Sequence, residues 1–513
     1  MPNLALDDAF ERLGEWHLPS QPNVRVAGRL SYSNRRVELE LNEALTPVVG
    51  DVTVVDEQPS YELLLGTSTK GELLSVLRAS RVGVSLNFGG VGLRQPERLI
   101  SSWLVVGAHV EPNQRYSKVQ FVVPGLAAWL NRTPISQTIL TNPPSQPYIE
   151  TITRQTIQAE KTDAPSVGAL IEWGAATTGK TNPYQSISID VHGYFTISHD
   201  DPQPIEWFFD QQGKLATLLL FLAGTPMPPS HISAYVGEHR TPLSLLVALR
   251  AHQPCELGRP SDFFVPRASV SVSLNQMVSN WFANIDPVLT PSQLAASTLS
   301  SKDLWLHVHF ASLIQSLEGF HRGRHPGLYM APIDYEKVRS AISNSIPTEL
   351  SSDHKEALRS RIKYGNQISL AKRLAELAAT LGPNLAKLIL GEQGKVPRSW
   401  IDTRNYHSHW DDELLQNILG DQDMYNANVR MEHFLRALFL MLAGVKSEEI
   451  VRAIEGVSSA AEQLTQINII DRHKSDPSQP KGIYFTVHPK GADAPVPSKP
   501  DELNKPNEGP VGA

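Results

Sequence analysis

The sequence predicts an α+β multidomain protein, in which an N-terminal antiparallel β-sandwich-like domain is followed by a C-terminal all-α helix bundle. The chain has 513 residues, which is more than a single hydrophobic core usually organises. From about residue 24 to residue 198, short runs of alternating apolar and polar residues are separated by Gly, Pro, Asn and Asp, a pattern typical of antiparallel strands. From about residue 263 onward, apolar residues recur at helical spacing, which indicates a helix bundle.

The N-terminal domain is expected to span residues 1–250. Strands are predicted at 24–30, 37–41, 51–55, 61–65, 73–77, 103–110, 119–123, 169–173, 186–191, 232–236 and 243–249. Apolar residues at helical spacing predict one helix inside this domain, at about 205–224. The segment 251–262 is polar and interrupted by Pro and Gly, so we expect it to be a linker.

The helical domain is expected to span residues 263–470. Its apolar stripes predict helices around 306–320, 335–346, 362–381 and 429–442, and the third stripe reads as one long helix. The segment 487–513 is rich in Pro, Lys, Gly and Asp and has few large apolar residues. Such a composition cannot build a core, so we expect a disordered tail.

The composition restricts the functional class and the compartment. A formal net charge of −7 argues against a general polyanion binder, so any contact with RNA has to be a local basic patch. The single cysteine, Cys255, excludes an intrachain disulfide and a cysteine-based zinc site. The acidic first 16 residues do not resemble a signal peptide, and the longest apolar run, 215–224, is too short to span a bilayer. A cytoplasmic protein without membrane association is expected.

The segment 403–411, Thr-Arg-Asn-Tyr-His-Ser-His-Trp-Asp, carries the residues with the clearest chemistry. On a helix, Arg404 and His409 are about 140° apart around the axis. A guanidinium can grip a phosphate with two N–H groups, and an imidazole can transfer protons near neutral pH. Together these groups are what RNA cleavage without a metal requires. The same spacing occurs at Arg12 and His17, so the spacing by itself does not identify a catalytic site. The surrounding sequence has to support the assignment.

The context is a resemblance to a known family. Arg404-Asn405-x-x-x-His409, followed by Trp410 and Asp411, resembles the R-N-x-x-x-H motif of HEPN ribonucleases. Apart from its tail, the whole chain resembles the ApeA-like anti-phage proteins, which have a β-rich N-terminal domain and a C-terminal HEPN domain. The resemblance implies an abortive-infection endoribonuclease that cleaves RNA by transesterification, leaves 2′,3′-cyclic phosphate ends and needs neither a metal nor a cofactor.

The resemblance also implies partners. HEPN enzymes usually form homodimers, in which two motifs face each other and supply two imidazoles, and a higher oligomer is compatible with this arrangement. The N-terminal domain is expected to sense an unknown phage-derived trigger or to restrain the nuclease. RNA is the expected substrate.

Four residues are expected to be catalytic. Arg404 would bind phosphate oxygens in a bidentate manner, and His409 would act as general base or acid. Asn405 would hold a phosphate oxygen or orient the other two side chains. The resemblance includes Leu317-Glu318 and implies that Glu318 supports the catalytic pair across the bundle. A surface glutamate on an amphipathic helix is the alternative for Glu318.

Three further residues are candidates for binding the substrate. Arg322 and Arg324 lie in the segment 321–325, His-Arg-Gly-Arg-His, which reads as a compact basic loop able to contact an RNA backbone. A solvated loop is the alternative. His407 is two residues from His409 and points elsewhere on a helix.

Two other signals compete with this interpretation. Gly174–Thr181 matches the Walker A pattern, but the sequence after it alternates like a strand, so we interpret it as a β-hairpin loop instead of a nucleotide site. The residues His192, His199, Asp200 and Asp201 have no recognised metal-site spacing. The rival functions are a non-catalytic HEPN scaffold with a β-sandwich ligand-binding module and a nucleotide-dependent enzyme.

Overall fold

The computed structural model describes residues 4–46, 60–84, 96–140, 149–182, 186–237, 241–248, 257–301, 303–456 and 458–475. A β-rich N-terminal half precedes a helical region, which confirms the predicted α+β order. The predicted strand at 51–55, the first half of the predicted linker and the predicted disordered tail lie outside the described residues.

The described part of the chain contains fifteen strands. They are β1 Phe10–His17, β2 Val26–Ser33, β3 Arg36–Leu41, β4 Ser60–Ser68, β5 Leu73–Val84, β6 Glu97–Ser101, β7 Trp103–Val106, β8 Arg115–Val122, β9 Ile135–Leu140, β10 Ile149–Arg154, β11 Glu160–Ala164, β12 Ala169–Asn182, β13 Ser186–Pro204, β14 His231–Tyr235 and β15 Leu243–Val247.

The same described ranges contain thirteen α-helices. They are α1 Leu126–Trp129, α2 Ile205–Ala223, α3 Leu274–Asn284, α4 Leu289–Ser300, α5 Leu306–Arg324, α6 Pro332–Asn344, α7 Ser352–Lys363, α8 Leu370–Thr380, α9 Pro383–Leu390, α10 Arg398–His409, α11 Asp421–Leu442, α12 Ser447–Gly456 and α13 Ser458–Ser475.

Among the described strands, thirteen form one antiparallel sheet in the order β11-β12-β13-β8-β14-β15-β7-β5-β4-β1-β2-β3-β6. β5 also pairs with β6, so the strands β5-β4-β1-β2-β3-β6 close into a six-stranded barrel that continues into an open sheet. The remaining strands, β9 and β10, form a separate two-stranded ribbon. The sandwich-like domain is therefore a barrel with an extended sheet.

The barrel follows from the alternation in its sequence. In β3, Val37, Leu39 and Leu41 are buried, whereas Arg36 and Glu40 are exposed, as expected when successive side chains point to opposite faces. Each inward residue removes apolar surface from water and stabilises the closed sheet.

Helix α2 joins the two halves of the molecule. Phe209 packs edge-on against Trp103 of the sheet, with ring centroids 5.0 Å apart. Further along the same helix, Phe221 stacks on Phe439 of α11, with centroids 4.6 Å apart. Buried residues of both halves consequently belong to one continuous hydrophobic cluster.

One helical prediction was wrong in detail. The stripe predicted as one helix over 362–381 is divided between α7 and α8, because Ser369 caps the new helix by accepting a hydrogen bond from the Lys372 N–H at 3.3 Å. The predicted stripe at 335–346 forms α6, but neither α6 nor α7 buries a residue. Their apolar residues remain at the protein surface.

Candidate active site

Helix α10 carries the Arg-Asn-x-x-x-His motif, and the residues before the motif fix its position. Pro397 precedes the helix with an extended backbone conformation, as is common at helix starts. Trp400 and Ile401 are buried and anchor the helix in the core. The buried Thr403 accepts a hydrogen bond from the Leu419 N–H through Oγ1 at 2.9 Å, which ties the following chain to α10.

The end of α10 places His409 at the surface. Trp410 ends the helix in a left-handed conformation, with φ 53° and ψ 42°, and its N–H donates to the Tyr406 carbonyl oxygen at 2.7 Å. Asp411 then accepts a hydrogen bond from the Glu413 N–H at 3.1 Å and starts a short 3₁₀ helix. His409 thus occupies the last helical turn, where its side chain is exposed.

Arg404 is held by a carboxylate from another helix. Its Nη2 donates to Oε2 of Glu318 on α5 at 3.2 Å, and its Nη1 donates to Oδ1 of the adjacent Asn405 at 3.2 Å. The Glu318 side chain is only 16% exposed, and a buried carboxylate requires such charged partners. Glu318, Arg404 and Asn405 therefore meet in one cluster.

A second guanidinium completes this cluster. Arg322, one helical turn after Glu318, donates to Oε1 of that carboxylate from Nε at 3.0 Å and from Nη2 at 2.8 Å. Its Nη1 donates to Oε1 of Gln367 at 3.1 Å. One carboxylate between two guanidiniums leaves the cluster with a net positive charge. A phosphate would be attracted to this charge.

The two histidines of α10 lie in different environments. His407 is three residues after Arg404 and therefore about 60° from it around the helix. Its ring stacks on His307 with centroids 5.8 Å apart. Burial, and secondarily the charge of His307, lowers the pKa of His407. His409 is about 140° from Arg404 around the same helix, so the two side chains of the motif leave α10 on different sides.

The segment 321–325 is not a loop, and that interpretation was wrong. Helix α5 continues to Arg324, past Gly323. A Cβ on Gly323 would lie 2.3 Å from the Pro287 carbonyl oxygen, so this glycine allows close packing instead of ending the helix.

The charged residues of this last turn point in several directions. His321 is fully buried. Its Nδ1 lies 3.1 Å from Nη1 of Arg373, which can only donate, so Nε2 carries the proton and donates to Oε2 of Glu376 at 2.8 Å. Arg324 donates from Nη1 to Oδ1 of Asn284 at 3.1 Å. Of the two arginines expected to bind RNA, only Arg322 therefore lies in the Glu318 cluster.

Sequence reasoning missed two neighbours of the motif, Gln367 and His307. Gln367 follows the break after α7 and has no sequence signal that distinguishes it from a solvated glutamine. His307 lies at the start of α5 in the segment Trp305-Leu306-His307. A tryptophan two positions before a histidine at a helix start was the available signal.

The Walker-like segment Gly174–Thr181 lies inside strand β12 and pairs residue by residue with β13, from Gly174 opposite Tyr194 to Thr181 opposite Ile187. It forms a strand of the hairpin and not its loop, which corrects our interpretation. β12 continues to Asn182, so no helix begins at the Lys-Thr pair to bind phosphates.

His192 and His199, which lack metal-site spacing in the sequence, have local polar partners in the structure. His199 accepts a hydrogen bond from the Asp201 N–H at 3.0 Å, and His192 lies 2.7 Å from the hydroxyl of Thr178. Within the described ranges, no three or more His, Cys, Asp or Glu side chains converge to hold a metal ion.

Both halves of the chain match models of known protein families. The model of ApeA N-terminal domain 1 matches residues 11–281, and the model of the Apea-like HEPN domain matches residues 311–449. Glu318, Arg404 and His409 all lie within the second match. No curated protein and no solved structure matches the chain. None of the described helices is long and apolar enough to cross a membrane. Since the first match alone spans more than half of the chain, the protein belongs to the ApeA-like family, with an ApeA N-terminal domain and a C-terminal HEPN domain.

Proposed function

We propose that this protein is a metal-independent endoribonuclease of phage defence, which cleaves RNA at a site formed by Arg404, Asn405 and His409. The Apea-like HEPN match supports a nuclease role in defence in general. The observation that carries the specific proposal is the cluster in which Glu318 binds both Arg404 and Arg322. It provides a net positive charge on two helices of the HEPN region, one of which also carries His409.

The proposed reaction is transesterification. A base removes the proton of a ribose 2′-OH, and the oxygen attacks the adjacent phosphorus while the bond from phosphorus to the 5′-oxygen breaks. A proton then reaches the leaving 5′-oxygen, and the products carry a 2′,3′-cyclic phosphate and a 5′-OH. Arg404 stabilises the charge that develops on the phosphate oxygens, and His409 transfers a proton.

Glu318 acts in this proposal as a positioning residue. Its carboxylate holds the guanidinium of Arg404 and keeps one of the two Nη groups occupied, so the remaining N–H groups have a restricted direction. A catalytic group that is already held in position loses less conformational freedom when the transition state forms. It therefore lowers the activation barrier more than a mobile group does. Asn405, bonded to the other Nη group, would adjust the same guanidinium.

Two copies of the chain are proposed to form the complete site. The reaction needs a base and an acid, whereas the motif provides one His409 in each chain. The wide angle between Arg404 and His409 on α10 also favours a shared site, because facing copies would bring both groups to one phosphate. We therefore propose a homodimer through the HEPN domain or a higher oligomer built from such pairs.

The N-terminal domain, expected over residues 1–250, is proposed to sense a phage-derived trigger, and residues 263–470 to form the nuclease domain. A groove of about 750 Å³ on the barrel is lined by residues that include Arg25, Gly28 and Arg29. Its size is that of a small-molecule site. The groove also favours the second candidate function, a non-catalytic HEPN scaffold with a ligand-binding β domain.

One cleavage experiment separates these functions. Labelled RNA is incubated with the wild-type chain, Arg404→Ala and His409→Ala in the presence of EDTA. Cleavage by the wild type alone is expected. Undiminished cleavage by both variants would refute the site, and the absence of cleavage by all three chains, in cells as well as in vitro, would favour the scaffold.

A further inference from the structure

Trp410, the residue directly after His409, combines two unusual properties. Its side chain is 69% exposed, although indole is a large apolar group. Its backbone has φ 53°, a region that bulky residues rarely adopt and that usually takes glycine at a helix end. Such strained residues cluster at functional sites. Neither folding nor solubility accounts for a tryptophan here.

Trp305, immediately before α5, is the second exposed tryptophan near the motif. Its side chain is 78% exposed, and its ring centroid lies 6.4 Å from that of His307 in the first turn of α5. Two exposed indoles at the ends of the two helices that carry Glu318 and Arg404 are more than scattered surface residues.

Imidazole rings connect these two tryptophans. His307 stacks on His407 with centroids 5.8 Å apart and planes 27° apart, and His407 meets Trp410 edge-on at 6.3 Å. Tyr406 lies 5.7 Å from Trp410. We call the five rings Trp305, His307, His407, Trp410 and Tyr406 the aromatic row. The row joins the start of α5 to the end of α10 and adjoins the exposed His409.

The composition of the row suits RNA bases as its partner. Unpaired bases stack on Trp, Tyr and His rings, and such stacking is tolerant of sequence. The imidazoles of His307 and His407 lie between the two tryptophans, so aromatic rings follow one another from Trp305 to Trp410.

The two ends of the site also differ in charge. Asp411, Asp412 and Glu413 directly follow Trp410 and repel phosphate. The cluster of Arg404, Glu318 and Arg322 has a net positive charge and attracts it. A strand of RNA would therefore direct its backbone toward Arg404 and its uncharged bases toward the row.

We infer that the aromatic row is a subsite that binds unpaired bases next to the cleaved linkage, with Trp410 as its main contact. This inference rests on the proposed ribonuclease function and adds a base-binding subsite to it. A base paired in a duplex cannot offer its face to Trp410, so duplex RNA would lose these contacts.

The test measures RNA binding by chains that cannot cleave. His409→Ala is combined with Trp410→Gly, Trp410→Phe or Trp305→Ala, and the affinity for a fluorescent single-stranded oligoribonucleotide is compared with that for its duplex. Trp410→Gly suits the left-handed backbone and removes only the ring, whereas Trp410→Phe keeps an aromatic face. We expect Trp410→Gly to weaken single-strand binding about 10- to 100-fold, Trp305→Ala to weaken it less, and Trp410→Phe to retain most of it.

Two results would overturn the inference. One is single-strand binding by Trp410→Gly and Trp305→Ala as tight as that of His409→Ala alone. The other is a change of oligomeric state on sedimentation of Trp410→Gly without loss of RNA affinity, which would assign the row to a second copy of the chain. Cleavage of RNA by the wild type, measured in the same series, tests the ribonuclease proposal independently. If the wild type cleaves RNA, that proposal stands whatever the binding results are; if the wild type cleaves no RNA, that proposal fails.

Discussion

Glu318 and Arg404, 86 residues apart in the chain, are joined by a hydrogen bond of 3.2 Å from Nη2 to Oε2. The bond connects α5 to α10 across the helix bundle. Arg404 therefore has a fixed partner on another helix, and its second partner, Asn405, lies on the same helix as Arg404. This relationship leads to the first two predictions.

Replacing Glu318 tests whether the carboxylate positions Arg404. We expect Glu318→Ala to lower kcat about 10- to 100-fold, the range seen when a supporting partner of a functional ligand is lost, with a smaller change in KM. Glu318→Gln keeps an oxygen acceptor and should retain more activity. The matched control is Glu336→Ala on α6, which removes an exposed pair with Arg339. Equal kinetics for Glu318→Ala and this control would contradict the positioning role.

Arg404→Lys tests the need for a forked donor. Lysine keeps the charge but cannot bind two phosphate oxygens and Glu318 in a planar arrangement. We expect a loss of about 100-fold in kcat/KM. Arg398→Lys at the start of the same helix changes an exposed partner of Asp402 and should retain nearly full activity. The proposal fails at this residue if Arg404→Lys is equally active.

Mixing active and inactive chains tests the shared site. His409→Ala, inactive alone, is mixed with the wild type under conditions that allow subunit exchange, and RNA cleavage is measured over time. If each site needs the His409 of both copies, mixed dimers are inactive, and cleavage falls below that of the same amount of wild type alone. Cleavage that stays proportional to the amount of wild-type chain, despite exchange shown by sedimentation or labelled subunits, would assign the complete site to a single chain.

The pH dependence of stability follows from His433 on α11. Burial, and then the nearby charge of Arg436, lowers the pKa of His433 from 6.5 to about 3. Because the folded pKa lies below the unfolded value, the unfolded chain binds the proton more readily. The folded state therefore loses stability as the pH falls below about 6.5 and continues to lose it toward about 3.

Thermal unfolding of wild type and His433→Leu between pH 7.5 and 4.5 checks this prediction. The midpoint of the wild type should fall more steeply with acid than that of the variant, and the two curves should approach each other at low pH. His354→Leu, at an exposed position of α7, is the control and should follow the wild type. Parallel curves for wild type and His433→Leu would show that His433 contributes nothing to the acid sensitivity.

Much of the fold could be predicted because its local patterns agree with its tertiary structure. The alternation of β3 directs Val37, Leu39 and Leu41 inward, and the apolar stripe of α11 matches a helix with many buried residues. The position of the motif on a helix was also predictable. Barrel closure through β5 and β6 was not, because that pairing is set by long-range register and not by any local signal.

The missed features have identifiable physical reasons. β1 was overlooked because Glu11, Arg12 and Glu15 interrupt its apolar residues, although it pairs with both β2 and β4. The segment 321–325 was interpreted as a loop because glycine often ends helices, whereas here Gly323 allows the backbone of Pro287 to pack closely. The partnership of Glu318 with Arg404 was expected only from the family resemblance, since residues so distant in sequence give no local sign of contact.

The most direct test of the account is the fate of an RNA with one 2′-deoxyribose at the cleavage position. In EDTA, the wild-type chain should cut the all-ribose strand, leave 2′,3′-cyclic phosphate and 5′-OH ends, and leave the deoxy-substituted linkage intact. Cleavage of the deoxy linkage, or products with 3′-OH and 5′-phosphate ends, would contradict transesterification by Arg404 and His409.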